Sequence, residues 1–326
     1  MLIFDHALWL LLAALLLDAL IGDPDWLWRH LPHPVVWIGK VISLFDRWFN
    51  RTSHSPFVRK LGGVLTLSAL LAGALLIGGL IHAAAALLPF GDILVVVVAA
   101  VFIAQNSLYR HVAAVRDGLR NGGLEEGRKA VSMIVGRDPK QLDEAGVSRA
   151  AIESCAENFS DGVVAPVFWF AILGLPGLIA CKAVNTADSM IGHKNEVYLD
   201  FGWAAARFDD LINLPASRLS GLFIALAAPL VRGSARKSIS CVLHDAKKHR
   251  SPNAGWPEAA MAGALGLALA GPRIYPGYTV NDRFLNSSGR TAATAEDISR
   301  ALRVILGASG LQALLIATVA VAAMVS

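Results

Sequence analysis

Four charged side chains recur at every fourth position in the stretch RAAIESCAENFSDG: Arg149, Glu153, Glu157 and Asp161. On an α-helix this spacing sets Arg149 over Glu153 and stacks the carboxylates along one slowly drifting face. Like charges four apart repel by about 0.2–0.5 kcal/mol, and a cation between them reverses the sign. Magnesium, which takes oxygen ligands and accompanies substrate phosphates, suits such a row. Asn158 lies beside it. Alone, the pattern also fits a solvated helix with one Arg–Glu pair. Its place directly ahead of the apolar run VVAPVFWFAILG puts these charges at a membrane boundary, where ionised groups are costly and mark function.

Two further clusters follow. KAVNTADSMIGHK carries Asn185 and Asp188 three apart, hence on one helical face, with Lys182, His193 and Lys194 around them. A carboxylate for a metal and ammonium groups for phosphate is a workable division of labour. RFDDLINLPASRL supplies Arg207, Asp209, Asp210, Asn213 and Arg218. Adjacent aspartates with an amide one turn on suit magnesium-bound phosphate. Each cluster abuts apolar sequence, and burying a carboxylate beside lipid costs on the order of 3 kcal/mol. Near the start, GDPDWLWRHLPHPVVWIGK contributes Asp18, Asp23, His33 and Lys40. His33 is a candidate ligand or base, or a structural cap on the bundle. Trp26, Trp28 and Trp37 read as interfacial anchors.

The elements that must position these residues are membrane helices. Of 326 residues, 55% are hydrophobic and 17% charged, against roughly 25% charged in a soluble domain. The expected fold is an all-α polytopic bundle, 1–326, with broken or re-entrant helices and polar helical loops. Spans are expected over 4–21, 61–88, 93–107 and 304–325, the first as a retained anchor. Gly62-Gly63, Gly73 and Gly78-Gly79 suit close helix approach. Segments 163–184, 219–231 and 259–270 are weaker; Gly174-Leu175-Pro176-Gly177 should break the first of them. Basic residues crowd the loop after the first span (Arg29, Lys40, Arg47, Arg51, Arg59, Lys60) and 232–250, which places both loops inside. If 163–184 and 219–231 both crossed fully, the polar segment 185–218 would face the other way, against its chemical reading.

Other chemistries are excluded by what is missing. Cys155, Cys181 and Cys241 make no CxxC pair, which leaves no zinc site or disulfide framework and points to a reducing side. There is no GxxxxGK[ST], HExxH, GxSxG or GxGxxG after a strand. The net charge of +4 comes from loops, so no nucleic-acid partner is expected. From residues alone, the rival readings are an intramembrane magnesium-dependent prenyl- or alcohol-phosphate transferase, and a membrane transporter or assembly subunit. The transferase reading lacks the two NDxxD-like motifs such enzymes show. The transporter reading leaves the dense acids unexplained.

The stretches GDP…PHPV, SRAAIESCAENFSDGVVAPVFW, GLPGLIACKAVNTADSMIGHKNEVYLDFGWAAARFDDLINLPASRL and PNAGWPEAAMAGALGLALAGPRIYPG together resemble the cobinamide-phosphate synthase family of cobalamin biosynthesis (CobD/CbiB type). One departure is that Pro215 comes a place early and Ser217 precedes Arg218, with the arginine in register. The resemblance implies an ATP- and magnesium-dependent amide-forming ligase. It would join adenosylcobyric acid to (R)-1-amino-2-propanol or its O-phosphate. It implies Mg-nucleotide roles for Glu153, Glu157, Asp161, Asp188, Asp209 and Asp210, with Glu153, Glu157 and Asp188 at the reacting centre. Phosphate and carboxylate contacts fall to Lys182, Asn185, Lys194, Arg207, Arg218, Arg283 and His33. A multi-pass protein of the cell inner membrane is expected, with lipid as partner and a homo-oligomer left open. The bulky corrinoid calls for an open cleft, with Gly271-Pro272-Arg273 through Gly277 as part of its roof.

Overall fold

The computed structural model describes residues 2–136, 138–275 and 278–325. The apolar runs become helices: α1 (Leu2–Ile21), α2 (Asp25–Trp28), α3 (Pro34–Phe49), α4 (Pro56–Ala86), α5 (Gly91–Phe102) and α6 (Gln105–Val131). After these come α7 (Glu144–Phe159), α8 (Ala165–Ile191), α9 (Trp203–Ile212), α10 (Leu214–Ala227), α11 (Ala235–Asp245), α12 (Gly255–Leu265) and α13 (Ala295–Val325). Five helical stretches are long and apolar enough to cross a membrane: Pro56–Ala86, Gly91–Val131, Glu144–Ile191, Leu214–Val231 and Ala295–Val325. The chain is a polytopic helical membrane bundle. It divides into two compact units, one of residues 1–104, 165–213 and 319–326, the other of 105–164 and 214–318.

In the first unit, α4 packs along α8, and three of its glycines admit close neighbours, one on α3, one just before α9 and one on α8. A Cβ at Gly63 would collide with the Phe201 carbonyl, one at Gly62 with the Phe49 side chain, and one at Gly78 with Pro176. Gly73 and Gly79 meet nothing within 4 Å, so they do not serve such an approach. Gly174 takes φ 66°, ψ −153° ahead of Pro176, which breaks α8 where the sequence places the break. Left-handed φ is what glycine alone adopts without strain. The core at the α8 end is Ile42, Leu70, Ala187, Ile191, Phe201 and Ala205, with Ile38, Phe49, Met190 and Tyr198 packed on it. At α1 and α5, His6 Nε2 meets Asp92 Oδ1 at 3.0 Å.

In the second unit, α7 runs into a π turn at Ser160–Val164, the turn that carries Asp161. Segment 259–270 is not one apolar helix. α12 stops at Leu265, where Gly266 (φ 70°) caps it, and the chain becomes strand at Leu269. β1 (Leu269–Tyr275) pairs antiparallel with β2 (Tyr278–Leu285), with an irregularity between Ala270 and Pro272. Ile274, Tyr275, Tyr278, Thr279 and Val280 explain it, since β-branched and aromatic residues favour strands. This hairpin is the departure from an all-α reading. Of the expected roof, Pro276 and Gly277 lie outside the described residues.

Candidate functional site

The end of α8 and the start of α9, both in the first unit, bring two of the predicted clusters together. Asp188 stands one turn before the end of α8, half-buried, with its carboxylate curled over Gly192; a Cβ there would meet Asp188 Oδ1. The negative end of the helix dipole makes this a place for a cation rather than a lone carboxylate. Asp188 is in electrostatic reach of the Asp210 carboxylate and the His193 imidazole. Asp210 in turn feels Arg207 and Lys194. Burial lifts its carboxyl above the usual carboxylate range, and those two cations pull part of the way back. Lys182 and Asn185 are half-buried further back on α8, and Asp209 is buried on α9. Asn213, 1% exposed, closes α9 through its N–H to the Asp209 carbonyl.

The polar turn after α8 is held from outside. Arg59, at the start of α4, donates to Asn50 Oδ1 at 2.7 Å, to the Glu196 carbonyl at 3.3 Å and to the Val197 carbonyl. Asn50 donates to Val197 O at 3.1 Å and to Asp46 Oδ1 at 2.8 Å. Lys60 stacks over the Trp203 ring at 3.9 Å. The basic loop after the first span and the 185–213 segment therefore share one end of this unit. Hydropathy alone set them in conflict; these contacts join them. His33 accepts from the Val35 N–H and so caps α3, with Asp23 at 3.7 Å and Trp28 against its ring.

The remaining predicted residues lie in the second unit. Glu153 is 5% exposed and accepts from the Ala270 N–H, whereas Glu157 is exposed and Asp161 half-buried. Arg149 donates to the Thr291 carbonyl. The row of carboxylates thus meets three different surroundings, because the helix face drifts and the π turn resets its register. Arg218 donates to Leu214 O, Ser217 Oγ and Asn253 Oδ1 at 2.9–3.1 Å and stacks on Trp256 at 4.4 Å. Arg283 is exposed on β2.

Sequence reasoning missed the partners of Arg218, and with them a buried pair, His249 and Glu258, 3.6 Å apart. The signal was present in SPNAGWPEAA, where Asn253 and Glu258 interrupt an apolar stretch. Among the described residues no three His, Cys, Asp or Glu side chains group closely enough to hold a metal by themselves.

Compared with known proteins, residues 11–305 match the family described as CobD/Cbib protein. A cobalamin biosynthesis protein CobD of Sinorhizobium sp. is 56% identical over 307 residues, covering 93% of this chain and 95% of its own length. One of Brucella suis is 54% identical (89% of each chain), and one of Rhodobacter capsulatus 45% identical (96% of this chain, 97% of its own). No solved structure matches.

Proposed function

The chain belongs to the CobD/CbiB family, and on that premise we propose that it is the membrane-bound ligase forming the aminopropanol amide of adenosylcobyric acid in cobalamin biosynthesis. The observation that carries the reading, beside the family, is the convergence of Asp188, Asp210, His193, Lys194 and Arg207 where α8 passes to α9.

Magnesium and ATP fit these residues in one way. No protein-only cage exists among the described residues, and magnesium does not need one, since it is commonly bound by one or two carboxylates with phosphate and water completing the shell. Asp188 and Asp210 are the carboxylates for that role, with Asp209 and the second-unit residues Glu153, Glu157 and Asp161 as further candidates. Mg-ATP supplies the activation: a substrate carboxylate oxygen takes the terminal phosphoryl group with release of ADP, and the amine nitrogen then displaces phosphate to form the amide. Lys194 and Arg207 bind the phosphate oxygens and offset charge as two anionic partners approach. Asn185 lies one turn back from Asp188 on the same helix face, and Lys182 three residues further back. Arg218, Arg283 and His33 remain candidates for carboxylate and phosphate contacts.

The test uses purified full-length protein with Mg-ATP, a corrinoid acid and either aminopropanol or its phosphate. Amide product with stoichiometric ADP is expected. Absence of product with validated substrates, or product formation independent of ATP, sinks the reading.

A further inference from the structure

Helix α3 has two apolar faces, and the fold uses only one. Ile42 is fully buried, with Ile38 and Phe49 packed beside it on the cluster at the end of α8. Trp37, Val41, Leu44 and Trp48, spaced i, i+4, i+7 and i+11, form a second stripe that is 56, 41, 42 and 52% exposed. Lys40 and Arg47, both exposed, run along the edge of that stripe, and Arg51 follows just past the helix end. Lys40 Nζ lies 4.6 Å from the Trp37 ring.

We propose that α3 lies flat in the membrane interface, with Trp37, Val41, Leu44 and Trp48 in the acyl boundary and Lys40, Arg47 and Arg51 on anionic lipid headgroups. Three observations select lipid as the occupant. The helix has 16 residues, about 24 Å, which is too short for a hydrocarbon core of about 30 Å. An apolar stripe bearing tryptophans and edged by Lys and Arg is the pattern of in-plane helices, and the charges complement anionic headgroups. The stripe is also continuous with a membrane-facing surface: α4 starts seven residues after α3 ends and turns Phe57, Leu61 and Leu65 outward. Since the buried face of α3 packs at Ala187 and Ile191, either side of Asp188, this seating fixes that carboxylate near headgroup depth.

The test leaves turnover aside, so its failure is separate from failure of the proposed reaction. Leu44→Cys in the full chain is labelled with an environment-sensitive fluorophore and reconstituted in vesicles of phosphatidylcholine with or without phosphatidylglycerol. Glu196→Cys, exposed after α8, serves as the aqueous reference; the natural cysteines are buried. Lipids spin-labelled high on the acyl chain are expected to quench the Leu44→Cys probe more than lipids labelled deep, and aqueous iodide to quench only the reference. Phosphatidylglycerol retention should weaken roughly fivefold for each charge removed in Lys40→Ala and Arg47→Ala. Iodide quenching at Leu44→Cys, stronger quenching from the deep label, a disulfide between two copies at this position, or unchanged phosphatidylglycerol retention in both variants overturns the proposal.

Discussion

The Glu153 carboxylate accepts a hydrogen bond from the backbone N–H of Ala270 at 2.9 Å, tying the middle of α7 to the first residues of β1. Ala270 is 4% exposed and holds φ 57°, a left-handed conformation that non-glycine residues adopt at a cost. A buried N–H left without an acceptor costs about 1–3 kcal/mol. Glu153→Ala should lower the melting temperature of the detergent-solubilised protein by that free energy. Glu153→Gln, which keeps an acceptor, should lose far less. Full ligase activity in Glu153→Gln would remove this side chain from the metal and catalytic candidates.

Asp210 should cost the protein stability. Its carboxyl is raised by burial, against Arg207 and Lys194. The folded state therefore binds the proton more tightly than the unfolded state. Stability is greatest below the unfolded carboxylate range and falls as pH rises through the folded value. Asp210→Asn should melt higher than the parent at neutral pH, the difference vanishing in acid, while amide formation drops at least tenfold. A variant less stable than the parent at neutral pH contradicts this.

Arg59 works through the backbone it holds. Arg59→Ala should raise hydrogen exchange over residues 194–200 and raise KM for the phosphate-bearing substrate, with a smaller effect on kcat. Arg59→Lys should recover only part, because an ammonium cannot reproduce the fork that reaches Asn50 and two carbonyls.

Gly192→Ala directs a methyl chiefly at the Asp188 carboxylate and, at 2.7 Å, at the Asp188 carbonyl, whereas Gly63→Ala directs one wholly at the Phe201 backbone. The Asp188 side chain can turn aside, and its carbonyl then has less far to shift than the Phe201 carbonyl, which is approached more closely. Gly192→Ala should lose activity with a moderate fall in melting temperature; Gly63→Ala should fail to fold stably. Circular dichroism melts beside turnover assays separate the two.

Cys241 is buried, and burial together with the neighbouring Asp245 pushes its thiol up to about 12. At pH 8 nearly all of it is thiol, and thiolate is the reactive form. Maleimide should leave Cys241 unmodified in the folded protein and label it on denaturation, as read by mass spectrometry of its peptide.

The helical membrane architecture was legible because long apolar runs and Gly-Pro punctuation are local signals. The break at Gly174 and the close approaches at Gly62, Gly63 and Gly78 follow from such signals. Gly73 and Gly79 look the same in sequence and do nothing comparable, since facing direction depends on a neighbour that sequence does not name. The hairpin at 269–285 was hidden by apolar residues that read equally as helix. At the candidate site, the spacing of Asn185 and Asp188 was readable, but the meeting of Asp188 with Asp210 needs the turn through 192–202. The four-residue row from Arg149 to Asp161 looked like one surface. Burial at Glu153, exposure at Glu157 and the π turn at Asp161 divide it, and i,i+4 spacing carries none of that information.

If α3 lies in the interface as proposed, its reach of about 24 Å has a consequence for parity. A helix that cannot cross adds nothing to the count of crossings, so Ile21 and Pro56 stand on the same face of the bilayer. One crossing by α4 then carries the chain over, and Asp92 emerges opposite. The His6–Asp92 contact at 3.0 Å sets the start of α1 beside the start of α5, which agrees with a crossing by α1, whose apolar stretch His6–Ile21 is shorter than the five candidate spans. Arg59 and Lys60 bind the Val197–Trp203 segment on the other face. Both belong to the basic loop that the charge rule assigns to the inside, the side that the proposed ATP-dependent reaction requires.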